Sequence, residues 1–298
     1  MKIIDFVFAA RPMLHLPIWS IFLISNHAIS GKSLSLESLC VLVGLSLMAT
    51  GAYYLNQISD YPTDLMNRKL GFLQAGFITR RELIAAGAVV SLTASVTAFF
   101  IDYRTGTIFI LLFLLGYAYS APPLRLKDQP VPGLLANSIG YGLLIPLTVP
   151  GMLHYPDQSR MYFPVYFFLV VSAGYLLTII PDREGDRGSG KRTLAVLLSD
   201  RALIALALVI LLMSIAIALT VASYVLVAVS VISTVLLIVA WLVASQMYIM
   251  LSCKLPILLL SLLAGYYYPG YLLFLVVLLI VTRLYYRRRF GMVYPRLN

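Results

Sequence analysis

Apolar runs of about 18 residues recur along this chain, each long enough to cross a hydrocarbon core of about 30 Å as a helix. They lie at roughly 13–29, 36–55, 83–101, 106–122, 133–152, 161–180, 202–222, 225–251 and 255–282. In lipid every backbone polar group must be bonded internally, which leaves only helices and closed barrels. A barrel would show alternating segments of about ten residues, and the runs here are continuous. Charged residues make up only 11% of the 298, against roughly 25% in soluble domains, too few to clothe a water-soluble surface. A soluble globular enzyme, a disordered chain and a nucleic-acid-binding domain are thereby excluded. The expected fold is all-α: a single multispan membrane bundle over residues 1–298, with nine spans as the natural count and ten as the upper limit.

The net charge of +10 needs no nucleic acid to explain it, because basic residues gather in cytoplasmic loops of membrane proteins. The loops after spans two, four and six carry Arg68, Lys69, Arg80, Arg81, Arg125, Lys127, Arg183, Arg187, Lys191, Arg192 and Arg201. The loops after spans one, three, five and seven carry only Lys32, Arg104 and Arg160. This puts the three long loops and the N-terminus on the cytoplasmic side. The C-terminal arginines 283, 287, 288, 289 and 296 resist that scheme, since nine spans would place them outside. Pro256, Pro269 and Gly270 in the last block leave room for an irregular or re-entrant piece there. The N-terminal stretch, interrupted by Asp5 and Arg11-Pro12, reads as retained and interfacial rather than as a signal peptide. With no targeting segment visible, the cell membrane is the expected location. Cys40 and Cys253 show neither metal spacing nor a disulfide framework.

Five of the 12 acids fall in two short segments, Asn56-Gln-Ile-Ser-Asp60-Tyr-Pro-Thr-Asp64 and Asp182-Arg-Glu-Gly-Asp186. A shift of 122 residues aligns Tyr53 with Tyr175, Leu55 with Leu177, Ile58 with Ile180, Asp60 with Asp182, Asp64 with Asp186 and Lys69 with Lys191. Each segment closes an even-numbered span, so both point the same way and form a pseudo-twofold pair of acidic sites. The N-x3-D-x3-D spacing keeps successive oxygens near one helix face, although Pro62 favours a kink or an end there. Pro181 is well placed for a helix start. A single DxxxD beside arginines is usually a solvated ion pair. Two in register, in a chain so poor in charge, point to ligands instead. Mg²⁺ suits carboxylates combined with substrate phosphates, and Arg68, Lys69, Arg125, Lys127, Lys191 and Arg192 suit phosphate oxygens. Acids and cations at the mouth of an apolar bundle describe a diphosphate with a greasy tail.

The ordered stretches NQISDYPTD, YSAPPLRLK (119–127) and DREGDRGSGKRTLAVLL (182–198) resemble the UbiA superfamily of intramembrane prenyltransferases, from Arg11-Pro12 to about residue 200. The resemblance implies nine transmembrane helices around a central cavity capped by cytosolic loops. It also implies transfer of a prenyl group from an isoprenyl diphosphate to a lipophilic or aromatic acceptor, with Mg²⁺. By position, Asn56, Asp60, Asp64, Asp182 and Asp186 would hold two metal ions bridging the diphosphate, and Lys127 and Lys191 would contact it. Where many members have an Arg-Pro after the asparagine that matches Asn67, this chain has Leu70-Gly71-Phe72-Leu73, which shifts that role to Arg68 or Lys69. Some members carry Tyr-x3-Lys in the second loop; here Pro123 stands four before Lys127, so Tyr119 serves only if the loop folds back.

The implied chemistry needs charge to neutralise the departing diphosphate, a dry cavity for the allylic cation and aromatic faces to stabilise it. Tyr53, Tyr54, Tyr117, Tyr141 and Tyr175 are candidates for the last role, among 20 tyrosines most of which anchor or pack. Asn137, with small neighbours, can line the cavity or bond between helices. Arg11 can reach the substrate mouth or a lipid headgroup. His15, His27 and His154 read as satisfied interface residues. An ion-coupled transporter is the alternative, but it would need ionisable groups or broken helices near the midplane, and these spans are nearly charge-free. A phospholipid-type phosphotransferase lacks its D-x2-D-G-x2-A-R start here.

Overall fold

A computed structural model of the protein describes residues 1–31, 34–66, 71–153, 158–243 and 245–295. Lys32, Arg68, Lys69, His154 and Arg296 from the sequence reading lie outside the described residues. The chain folds as α1 (Lys2–Ala9), α2 (Leu16–Ser30), α3 (Leu36–Met66), α4 (Arg80–Ile101) and α5 (Tyr103–Ser120). There follow α6 (Pro130–Asn137), a π-helical stretch Ser138–Leu144, α7 (Ile145–Leu147), α8 (Gln158–Thr178), α9 (Arg183–Gly188) and α10 (Leu194–Leu197). The last third forms α11 (Asp200–Thr220), α12 (Tyr224–Val243), α13 (Gln246–Tyr267) and α14 (Pro269–Phe290).

Among the described residues, nine helical segments are long and apolar enough to cross a membrane, the first running Lys2–Ser30 through both α1 and α2. Their ends are set by caps that satisfy the free N–H groups of the first turn. Thr79 and Glu82 form a reciprocal capping box at α4, and Asp102, Ser199 and Ser245 cap α5, α11 and α13. The helices close into a ring, with α2 against α3, α3 against α4 and α5, α5 against the π-helical stretch, and then α8, α11, α12 and α13 in turn back to α2. Phe22, Phe109, Tyr166 and Phe167 are fully buried in the largest core cluster.

The final two apolar blocks resolve into three helices, broken before the Ser245 cap and at Tyr268. Tyr268 precedes Pro269, whose ring disfavours helical geometry in the residue before it, and its backbone is accordingly extended (φ −131°, ψ 82°). No irregular or re-entrant piece forms around Pro256, which sits within α13; the single N–H it lacks does not end the helix among packed neighbours. Pro62 likewise lies inside α3, which continues to Met66 rather than ending at the proline.

The C-terminal arginines also find their side. α14 lies against the N-terminal segment with opposite direction: Tyr268 Oη accepts from Asn26 at 2.8 Å, Phe274 meets Trp19 edge-on, and Tyr285 stacks on Phe8 at 3.8 Å. At its end Arg289 grips Asp5 with two hydrogen bonds, Nε–Oδ1 3.0 Å and Nη2–Oδ2 2.9 Å, and Tyr285 donates to the same carboxylate. Both ends of the described chain therefore share one side. α5, which packs beside α3 and α4, is not among the nine, and the described part of the basic tail lies beside the N-terminal segment.

Asp5 is only 2% exposed, so its charge depends on that pairing. Removing one partner of a buried pair costs about 3–5 kcal/mol. Asp5→Ala is expected to lose stability on that scale in thermal unfolding in detergent, and Glu37→Ala, at an exposed helix start, to lose far less.

Candidate active site

A cavity of about 390 Å³ opens inside the ring between α2, α3, α5, α6, the π-helical stretch and α8. Its deeper walls are Ile18, Leu45, Met48, Leu112, Leu115 and Ile145. Its mouth is built where the end of α3, the second loop and the segment after α8 converge. α3 brings Asn56 and Asp60; the 3-10 turn Leu126–Asp128 brings Lys127 and Asp128; the segment after α8 brings Asp182, Asp186, Lys191 and Thr193. The two acidic repeats thus meet at one cavity, although they fold differently. Asp60 rides an unbroken helix, whereas Pro181 starts a 3-10 turn (Ile180–Asp182) that leads into α9.

Ammonium groups stand between the acids. Lys127 Nζ donates to Asp60 Oδ1 at 2.5 Å and to Asn56 Oδ1 at 2.7 Å, and Asn56 also accepts from Ser120 Oγ at 3.3 Å. Lys191 Nζ lies 3.2 Å from Asp186 Oδ1 and 3.7 Å from Asp128 Oδ1, while Thr193 Oγ1 donates to Asp186 Oδ2 at 3.0 Å. Arg125 joins both halves, with Nε 2.6 Å from Asp128 Oδ2 and Nη2 3.6 Å from Asp60 Oδ1. Its backbone is left-handed (φ 40°), a strained state for a residue with a Cβ. Burial drives the Lys127 pKa below the usual lysine range, and Asp60 opposes that shift. Burial also works against the charge on Lys191, yet Asp186, Asp128 and Asp60 together hold its pKa above the ordinary value.

Tyr119 lines the cavity from the last turn of α5. Asn137 and Tyr175 lie beside its hydroxyl, and all three residues line the cavity. Tyr53 Oη and Tyr141 Oη meet at 2.7 Å, and Arg11 faces the same space. Gly133 makes room for this arrangement: a Cβ there would stand 2.7 Å from Tyr175 Oη and 3.0 Å from the carbonyl of Leu126.

Not every expected residue arrives. Asp64 sits a turn beyond Asp60 on α3 and is not part of the cavity lining, and the Arg192 side chain is exposed, with only its backbone N–H engaged, on Asp128 O at 3.1 Å. Tyr54 points away, bonding the carbonyl of Phe6 at 2.7 Å, and Tyr117 borders a different, lipid-side crevice between α3, α4 and α5. The helix rotation of about 100° per residue separates Tyr53 from Tyr54. Asp128, Ser120 and Thr193 were not singled out from the sequence. Of these, only Asp128, an acid within the basic second loop, left a trace there.

The UbiA prenyltransferase family model matches residues 16–249. The chain belongs to this family. Its members are prenyl-transferring enzymes, and the chain is a multi-pass membrane protein of that fold. Among relatives, it is 26% identical over 168 residues to a lycopene elongase/hydratase of Corynebacterium glutamicum, covering 54% of this chain and 58% of that protein. It is 30% identical over 166 residues to a lycopene elongase/hydratase of Halobacterium salinarum, covering 51% and 54%. The chain thus spans a little over half the length of these relatives. The fold matches a UbiA homolog from Archaeoglobus fulgidus bound to GPP and Mg²⁺, with TM-score 0.68 and 19% identity over 88% of this chain and 98% of that one. It also matches digeranylgeranylglyceryl phosphate synthase, with TM-score 0.70 and 16% identity over 91% and 98%. The family match ends within α13, so α14 and its grip on Asp5 lie beyond it.

Gly133→Val is expected to displace Tyr175 and lower stability by about 1–3 kcal/mol, the usual cost of overpacking. Gly174→Ala, in α8 with open space at its Cβ, should instead be neutral or stabilising by up to about 1 kcal/mol. Thermal unfolding of the two variants beside the parent protein checks both.

Proposed function

We propose that this protein transfers a prenyl group from an isoprenyl diphosphate to a lipophilic acceptor within the membrane. The observation that carries the reading is the meeting of both acidic repeats and both lysines at the mouth of one apolar cavity. The donor set also fits Mg²⁺: Asn56, Asp60, Asp182 and Asp186 present hard oxygen atoms, the kind this ion prefers together with substrate phosphates. Among the described residues no three acids enclose a site unaided. Asp64, a turn further along α3 and outside the cavity lining, would reach the ion through water. When bound, the metal would supply positive charge to the departing diphosphate.

The chain's own groups account for the rest. Lys127 and Lys191, released from Asp60 and Asp186, would bind the diphosphate oxygens, with Arg125 beside them; Arg68, Lys69 and Arg192 are the further cations that the sequence offers for this role. Breaking the C–O bond leaves diphosphate in this polar mouth and an allylic cation among apolar walls. Water is held off by Leu45, Met48, Leu112, Leu115 and Ile145. The ring faces of Tyr53, Tyr141 and Tyr175 favour the cation, while Tyr119 and Asn137 keep Tyr175 oriented. The acceptor's π-electrons then attack the cation to form the new carbon–carbon bond, and the resulting cation gives up an adjacent proton to the departed diphosphate. Apolar walls speak for a hydrocarbon-rich acceptor, and the names of the relatives make a long polyene the first to try. The basic loops support a cytoplasmic mouth, in the cell membrane.

Asp60→Ala and Asp182→Ala should stay folded and lose at least about a hundredfold in transfer from a labelled prenyl diphosphate, the scale of removing one electrostatic stabiliser. Chelation by EDTA should abolish transfer, with Mg²⁺ restoring it. Full activity of either variant, or indifference to chelation, would contradict the reading. Gradient-driven uptake into vesicles with no covalent product would favour a transporter instead.

A further inference from the structure

Asp128 belongs to neither acidic repeat, and it stands between them. Its Oδ2 accepts from Arg125 Nε at 2.6 Å, its Oδ1 lies 3.7 Å from Lys191 Nζ, and its backbone carbonyl accepts from the N–H of Arg192 at 3.1 Å. Oδ1 is buried and accepts no hydrogen bond among the described residues. Each of its two cationic partners is shared with an acid of the repeats: Arg125 with Asp60 at 3.6 Å, Lys191 with Asp186 at 3.2 Å. A single carboxylate thus has a hold on a cation of each half-site.

We propose that Asp128 is a positioning residue that retains Lys191 and Arg125 when Asp186 and Asp60 are given over to metal and diphosphate. The inference rests on the prenyl diphosphate reading above. A cation that binds Asp186 competes with Lys191 for the same oxygens. With Asp128 beside it, Lys191 leaves Asp186 without losing every counter-charge, because Oδ1 still has acceptor capacity. Arg125 is retained in the same way as Asp60 is vacated. Without the Asp128 charge, Asp186 is the one acid left within 4 Å of Lys191 among the described residues; the lysine clings to it, and metal enters less readily. Asp128 touches neither reacting atom in this scheme; it sets how easily the lysine is released toward the diphosphate.

The test measures binding rather than turnover. Geranyl S-thiolodiphosphate, whose carbon–sulfur bond resists cleavage, is titrated calorimetrically into the full chain over a range of Mg²⁺ concentrations. Asp128→Asn is expected to raise the Mg²⁺ concentration for half-maximal binding by about fivefold or more, with the unfolding temperature near that of the parent. In a Lys191→Met background the same substitution should have a clearly smaller effect, since the competing ammonium is gone and only the part that acts through Arg125 remains. A merely structural Asp128 would weaken binding equally in both backgrounds, and that result overturns the proposal. Asp128→Glu, which keeps the charge, guards against a misfolded Asp128→Asn; it should hold the Mg²⁺ requirement close to that of the parent, and a large rise would count against the proposal. If the parent protein binds no analogue at saturating Mg²⁺, the prenyl diphosphate reading falls and takes this inference with it. If the parent binds and Asp128→Asn leaves the Mg²⁺ dependence unchanged, this inference alone falls.

Discussion

The arrangement depends on compensating charge at the edge of a dry cavity. Carboxylates beside hydrocarbon are costly unless each meets a cation and its remaining lone pairs find donors. Here each lysine that faces an acid comes from a different segment or turn: Lys127 reaches across to Asp60 from the second loop, and Lys191 folds back on Asp186 and across to Asp128. The pairing does two things at once. It ties the end of α3, the second loop and the segment after α8 together around one opening, and it stores the cations that a diphosphate would need beside the oxygens that a metal would need.

The bundle supplies the setting for that charge. α3 and the segment after α8 carry the acids at the mouth, and the ring of helices leaves an apolar space below them. Small residues admit the closest approaches, with Gly133 beneath Tyr175 and Gly142 against the backbone of Phe168, where a Cβ would come within 2.4 Å. The π-helical stretch that holds Gly142 also turns Tyr141 toward Tyr53, and such wide turns recur at functional sites. Outside the ring, Asp5, Tyr285 and Arg289 tie the first helix to the last and bring a sixth-decade feature of the chain, the aromatic face of Tyr54, under the same cover.

Much of this could be read from the chain itself, for stated reasons. Hydropathy marks spans because lipid admits few alternatives, and a register of paired aspartates is hard to produce by accident in so apolar a sequence. Helix ends inside residues 225–282 were hidden because their breaks arise from a serine cap and a residue before proline, with no change in polarity. The choice between Tyr53 and Tyr54 turns on helix rotation, which one sequence does not register. Asp128 reads as an ordinary ion pair with its neighbour Arg125 until the fold brings Lys191 beside it. Asp64 shares the helical spacing of Asp60, but the walls of the cavity end one turn earlier.

The central claim is that two separated acidic segments serve a single diphosphate. Electron paramagnetic resonance of Mn²⁺ substituted for Mg²⁺, recorded with geranyl S-thiolodiphosphate bound, tests it most directly. The account predicts a spin-coupled manganese pair with phosphorus hyperfine interaction, reduced to an uncoupled ion when Asp182 is replaced by alanine. Isolated ions without phosphorus coupling, or a spectrum indifferent to that replacement, would contradict it.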